Sequence, residues 1–243
     1  MKDYSLEVHG CRHYDATGAI SQPIYFSATF RHPAFHQSTG YDYGRVANPT
    51  RDQLELTVAS LEQGQRCWAL SSGMAAINMV LHLFQPGDHL LLSEDLYGGT
   101  VRLADEIYSG YGITFDYVDT ADTAAVASKI RPNTRGIFIE TPSNPMMRVS
   151  DIVALAALAH DHQALLIVDN TFLSPHFQKP LTLGADIVAL EGDVNDPEIL
   201  RDHIRLREIC DTLSDKKFRQ EEAFAEWEQL VEEQAAMEQD EAL

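Results

Sequence analysis

The chain has 243 residues, 44% of them hydrophobic and 9% aromatic, which suits one large α/β domain or a domain with an appendage. Its formal net charge is −19, with 17 acidic and 6 basic residues from Ala189 onward, and this argues against a nucleic-acid partner for that part. No run is long and apolar enough to cross a bilayer, no signal-peptide pattern opens the chain, and Cys11, Cys67 and Cys210 show no metal-ligand spacing. A reduced, cytoplasmic protein without a membrane or metal partner is expected.

Residues 1–50 read as an irregular arm, ending in the turn-rich YDYGRVANPT with Tyr43 and Arg45. A helix is predicted from Asn48, Pro49 or Thr50 to about Gln63, with Leu54, Leu56, Val58 and Leu61 as its apolar face and Gly64 as its end. Strand, turn and helix then alternate. Cys67–Leu70 reads as a strand, Ser71-Ser72-Gly73 as a turn and Met74–Phe84 as a buried helix closed by Pro86-Gly87. A strand follows at His89–Leu92, a loop at Glu94–Thr100 and a helix at Val101–Ser109. Then come a strand at Ile113–Val118, a helix at Asp122–Ile130, a strand at Gly136–Glu140, the loop TPSNP and a helix at Ile152–Asp161. Strands at Leu165–Asp169 and Asp186–Leu190 complete the series. Apolar strands alternating with helices predict an α/β fold, a mostly parallel sheet with helices on both faces. Beyond Val188 the pattern changes to two amphipathic helices. The first starts at Asp196-Pro197 and carries Ile199, Leu206, Ile209 and Leu213; the second starts at Ser214 or Asp215 and carries Phe224, Trp227 and Val231.

Polar groups gather at the predicted strand ends, where an α/β sheet binds its ligands. SSGMAAI starts a helix with small residues, whose free N–H groups favour a phosphate, although a tight turn needs the same residues. DLYGGT offers Tyr97 as a ring to lie against a planar ligand, or as an ordinary loop aromatic. ETPSNP holds Asn144 between turn formers, and Asp169 ends another strand as a ligand group or a simple turn cap.

Taken together and in order, PIYFSATF, YDYGRVANPT, SSGMAAI, DLYGGT, ETPSNP, VDNTF and LGAD resemble the pyridoxal-phosphate enzymes of cysteine and methionine metabolism, the trans-sulfuration family. That family includes cystathionine γ-synthase, the cystathionine lyases, methionine γ-lyase and homoserine sulfhydrylases, and the resemblance runs from about Ile20 to Val188. It implies part of a fold type I large domain: an arm at 1–50, a cofactor-binding α/β domain at 51–188 and an unrelated acidic tail at 189–243. It also implies pyridoxal 5′-phosphate as cofactor. Gly73 and Met74 would meet its phosphate, Tyr97 its ring face, Asn144 its 3-oxygen and Asp169 its pyridinium nitrogen. Tyr43 and Arg45 would reach the phosphate of a neighbouring subunit. The implied substrates are sulfur amino acids or homoserine esters, and the implied assembly is a homo-oligomer or a pairing with a full-length relative. Gly99, where methionine γ-lyases typically have cysteine, tilts the resemblance toward the synthases and cystathionine lyases.

The resemblance stops at a chemical gap. The family's LGAD strand leads into a histidine-serine-alanine-threonine-lysine motif whose lysine is the Schiff-base residue. Here Ala189–Leu200 contains no Ser, Thr or Lys. Lys179 comes too early in the motif order, and Lys216 and Lys217 lack its flanking residues. No catalytic residue is therefore assigned. The expectation is an incomplete or chimeric family member, inactive by itself. A noncatalytic cofactor-binding protein is the next reading, and an interaction protein working through its helical tail the third.

Overall fold

The computed structural model describes Gly10 and residues 22–191. The expected tail helices, and Cys11 and Cys210, lie outside the described residues.

Helix α1 (Pro49–Glu62) starts where Asn48 accepts a hydrogen bond from the Thr50 N–H and Pro49 takes the first helical position. It stops at Gln63, whose φ of 57° is left-handed, one residue before the glycine expected to end it. Its apolar face is not buried. Leu54 and Leu56 are exposed, and the one buried residue of the helix is Glu62, whose carboxyl lies against Asn170. The predicted strand at Cys67–Leu70 is also corrected: this segment has no strand pairing among the described residues. Its Ala69 N–H donates instead to the Glu55 carboxylate at 3.0 Å. A strand exists only through a neighbour in register, and neither edge of the sheet takes this segment.

Helix α2 (Gly73–Leu81) is capped by the Ser72 hydroxyl, which accepts from the Ala75 N–H. It is followed by β1 (His89–Ser93) and α3 (Gly98–Arg102). The helix expected at Val101–Ser109 begins earlier, at Gly98, and widens into a π-helical turn over Leu103–Tyr108. The remaining elements are β2 (Thr114–Val118), α4 (Thr123–Lys129), β3 (Thr134–Glu140), α5 (Ile152–Asp161), β4 (Leu165–Asp169), α6 (Ser174–Phe177) and β5 (Ile187–Ala189). Helix α5 and strand β4 have the bounds expected from sequence, because Asp151 caps the one and the run LLIVD, buried from Leu166 on, makes the other. Short α6 and the 3-10 turn at Pro180–Leu183 were not expected.

Among the described residues the sheet has five parallel strands in the order β2-β1-β3-β4-β5. Alternation along each strand separates two cores. Leu91, Ile137, Ile139, Leu166 and Val168 face α4 and α5, while Leu90, Leu92, Phe138 and Ile167 face α2 and the π-helical turn. Both faces are thus covered, as a parallel sheet requires. Among the described residues, no helix is long and apolar enough to cross a membrane.

Gly136 shows how tightly the second core is filled. A Cβ there would come within 2.8 Å of Phe84 Cζ and 3.0 Å of its Cε1, and the Phe84 ring is buried. Gly136→Ala is expected to cost about 1–3 kcal/mol through overpacking, seen as a lower urea midpoint with an unchanged m-value.

Candidate functional site

The strand order changes direction between β1 and β3, and a crevice opens there beyond the carboxyl ends of the strands. A cavity of about 250 Å³ occupies it. Gly73, Met74, Tyr97, Asn144 and Asp169 all line it, so five of the seven residues singled out from sequence come together from four separate segments.

Each is held by its own local structure. Asp169 ends β4 in register with Glu140 of β3 and Ala189 of β5. Its Oδ1 accepts from the Thr171 N–H at 3.1 Å and from the Thr171 hydroxyl at 2.6 Å. The carboxyl is buried, and desolvation pushes its pKa up against the lowering effect of the Thr171 hydrogen bonds; the charge of Glu191 pushes it up further. Tyr97 follows β1, and its N–H donates to Glu140 Oε2 at 2.8 Å, which fixes the loop that carries the ring. The ring remains about two-fifths exposed and available for stacking. Asn144 sits in a loop with two cis X-Pro bonds, Thr141-Pro142 and Asn144-Pro145. That loop is tied to the β1 loop through Asp95, which accepts from the Ser143 hydroxyl and the Met146 N–H.

Tyr43 and Arg45 are not brought to this cavity. They lie on the arm, where Arg45 donates to the Tyr43 hydroxyl at 3.0 Å and stacks its guanidinium 5.3 Å from the ring centroid. Neither residue lines the crevice.

The structure adds groups that sequence reading quoted without a role. Glu140 and Thr171 stood within the strand-end motifs, so position at a strand end was the available signal. Glu191 had no signal, because its place depends on β5 packing beside α2. A second cluster lies under the floor. Glu62 is 4% exposed; its Oε1 accepts from Asn170 at 3.4 Å while its Oε2 has no partner. Asn170 is itself locked to Gln178 by two hydrogen bonds of 2.9 Å. Burial pushes the Glu62 carboxyl up to about 7, with Asn170 and the charge of Lys179 pulling the other way.

A pyridine-ring cofactor with a phosphate tail fits this cavity at one end only. A buried carboxylate suits a cationic ring nitrogen, Tyr97 and Asn144 flank the same space, and Gly73 and Met74 present the start of a helix. The phosphate end does not fit. The charged lining residues are Glu140, Asp169 and Glu191, all acidic, and no lysine or arginine lines the cavity among the described residues. The lysines within the described residues are Lys129 and Lys179. Lys129 donates to the Tyr117 carbonyl, and Lys179 acts on Glu62.

The chain is similar to known proteins. The chain is 50% identical over 189 residues to cystathionine gamma-lyase of Bacillus subtilis (strain 168), a match covering 77% of the chain and 50% of that relative. It is 51% identical over 179 residues to the cystathionine gamma-synthase/O-acetylhomoserine (thiol)-lyase of the same organism, covering 74% of the chain and 48% of that relative. The crystal structure of cystathionine gamma-lyase from Lactobacillus plantarum complexed with L-serine superposes with a TM-score of 0.73 at 49% identity, over 77% of this chain and 49% of that one. The structure of metB from Corynebacterium glutamicum gives a TM-score of 0.74 at 42% identity, over 77% and 50%. The chain therefore spans about half the length of the curated relatives it matches. The fold is that of the fold type I pyridoxal-phosphate enzymes, over the part of the chain covered. With residues 5–192 matching the family described as Cys/Met metabolism PLP-dependent enzyme, the chain belongs to that family.

Proposed function

We propose that residues 51–188 form the ring-binding part of a trans-sulfuration active site, and that this chain by itself does not turn over sulfur amino acids or homoserine esters. The carrying observation is the lining of the crevice: Asp169, Asn144 and Tyr97 are assembled around it, and among the described residues no lysine lines it. In this reading Asp169 holds a protonated ring nitrogen, Tyr97 covers the ring face and Asn144 contacts the ring substituent beside it. When bound, the cofactor ring supplies an electron sink for a substrate carbanion. In this reading the base that would move protons at the substrate carbons is lacking: among the described residues, no side chain lining the crevice is an amine, an imidazole or a thiol.

Gly99 supports the tilt toward cystathionine chemistry. A Cβ at Gly99 would lie 2.6 Å from Tyr97 Cε1 and 2.8 Å from Met74 Sδ, so in this chain the glycine lets the Tyr97 ring and Met74 pack against its backbone. As in the relatives' family, Tyr43 and Arg45 would be given to a second copy or to a full-length partner.

The test is direct. Purified protein supplied with pyridoxal phosphate and cystathionine is expected to release no keto acid above a blank. Borohydride reduction followed by peptide mapping is expected to find no site-specific lysine adduct. Turnover accompanied by a single adduct at Lys179, or at a lysine of the tail, would overturn the noncatalytic reading.

A further inference from the structure

The side chain of Glu191 lies against the head of α2. A Cβ built on Gly73 would lie 2.8 Å from Glu191 Oε2, 2.9 Å from Glu191 Cβ and 3.1 Å from its Cδ. The whole side chain, from its root to its carboxylate, therefore crosses the first residue of the helix. Its root is also held. The Glu191 N–H donates to the Thr171 hydroxyl at 3.0 Å, and that hydroxyl donates to Asp169. The same threonine thus anchors the ring-binding carboxylate and the backbone that carries Glu191. Helix α2 has nine residues, enough for its terminal N–H groups and dipole to favour a negative charge, and Glu191 supplies one from within the chain. Among the described residues no basic side chain of the chain itself lines the cavity to offset it, Arg45 lying away from it against Tyr43.

We propose that Glu191 takes the anion position at the head of α2, and that the cavity accepts a pyridine ring with an uncharged tail while rejecting the corresponding phosphate ester. This rests on the reading of the cavity as a ring-binding site. Glu191 acts in two ways. Its charge opposes a phosphate across a few ångströms of partly wet space, and its bulk covers the Gly73 backbone that a phosphate would have to approach. An uncharged hydroxymethyl tail suffers neither the repulsion nor the loss of helix N–H partners. The selectivity is therefore set by a residue just beyond β5, separate from the ring contacts.

Pyridoxine and pyridoxine 5′-phosphate are the suitable probes, because neither has an aldehyde to react with surface lysines. Calorimetric titration of the full chain is expected to show pyridoxine binding at least as tightly as its phosphate. Glu191→Gln removes the charge and should tighten phosphate-ester binding about tenfold, the scale of one neighbouring charge in a partly exposed site, with pyridoxine changed less than about twofold. Glu191→Ala removes the bulk as well and should tighten it further. Wild-type protein that prefers the phosphate ester by tenfold or more, or an unchanged ratio in both variants, would overturn the inference and leave the ring-binding reading standing. Failure of pyridoxine to bind wild type and both variants, all folded by circular dichroism, would instead overturn the ring-binding reading and the inference with it.

Discussion

Asp169→Asn is expected to weaken pyridoxine binding roughly a hundredfold, because it removes one partner of a desolvated charge pair and leaves the other uncompensated. The same change should stabilise the ligand-free protein. Asparagine has the shape of aspartate, and its amide oxygen can keep both hydrogen bonds from Thr171. What it removes is a buried carboxyl whose pKa is raised by desolvation, that is, a charge the empty fold disfavours. For a raised carboxyl the folded state holds its proton more firmly than the unfolded chain, so its contribution to stability declines as pH rises through the carboxylate range. Calorimetric titration with pyridoxine and thermal melts of the empty protein should therefore move in opposite senses. Binding and stability falling together would mean that Asp169 is a structural cap rather than a ligand group.

Glu62 should dominate the pH dependence of stability. Its pKa rises from 4.5 to about 7 on folding, and its side chain is 4% exposed. Between those values the folded protein retains a proton that the unfolded chain has released. Stability should accordingly fall as pH rises from about 4.5 to 7, by about 3 kcal/mol over the window, and stay low above it. Glu62→Gln should flatten this slope and raise stability at pH 8 by about 2 kcal/mol, allowing for one amide group left short of a partner. Urea midpoints at pH 5, 6, 7 and 8 measure both effects. A slope that survives the substitution would place the titration on another group.

The sheet was legible because each strand carries its own signal. LLIVD and GIFIE are short, apolar and β-rich, bounded by polar or turn-forming residues, and they are strands in the structure. Helix α5 was legible because Asp151 caps a run of good helix formers. The segment Cys67–Leu70 has the same local look and is not a strand, since pairing is a property of two segments and only one was in view. Helix α1 failed in a related way. Leu54, Leu56, Val58 and Leu61 looked like a core face, yet burial depends on what lies opposite, and in this fold it is Glu62 that finds cover.

For the site, the motifs named five residues that line the crevice and showed where Ser, Thr and Lys stop, because residue type and order carry that information along a single chain. Sequence by itself determined the family, the α/β class, the crevice-lining Asp169, Asn144, Tyr97, Gly73 and Met74, and the absence of a Ser, Thr or Lys between Ala189 and Leu200. Only the tertiary structure decided that Glu140 fixes the Tyr97 loop, that Asn170 ties Glu62 to the floor, and that Glu191 lies across Gly73. These pairs stand 43, 108 and more than a hundred residues apart in the chain. Their contacts are created by the order in which the strands assemble. No local pattern records which carboxylate will come to rest against which helix end.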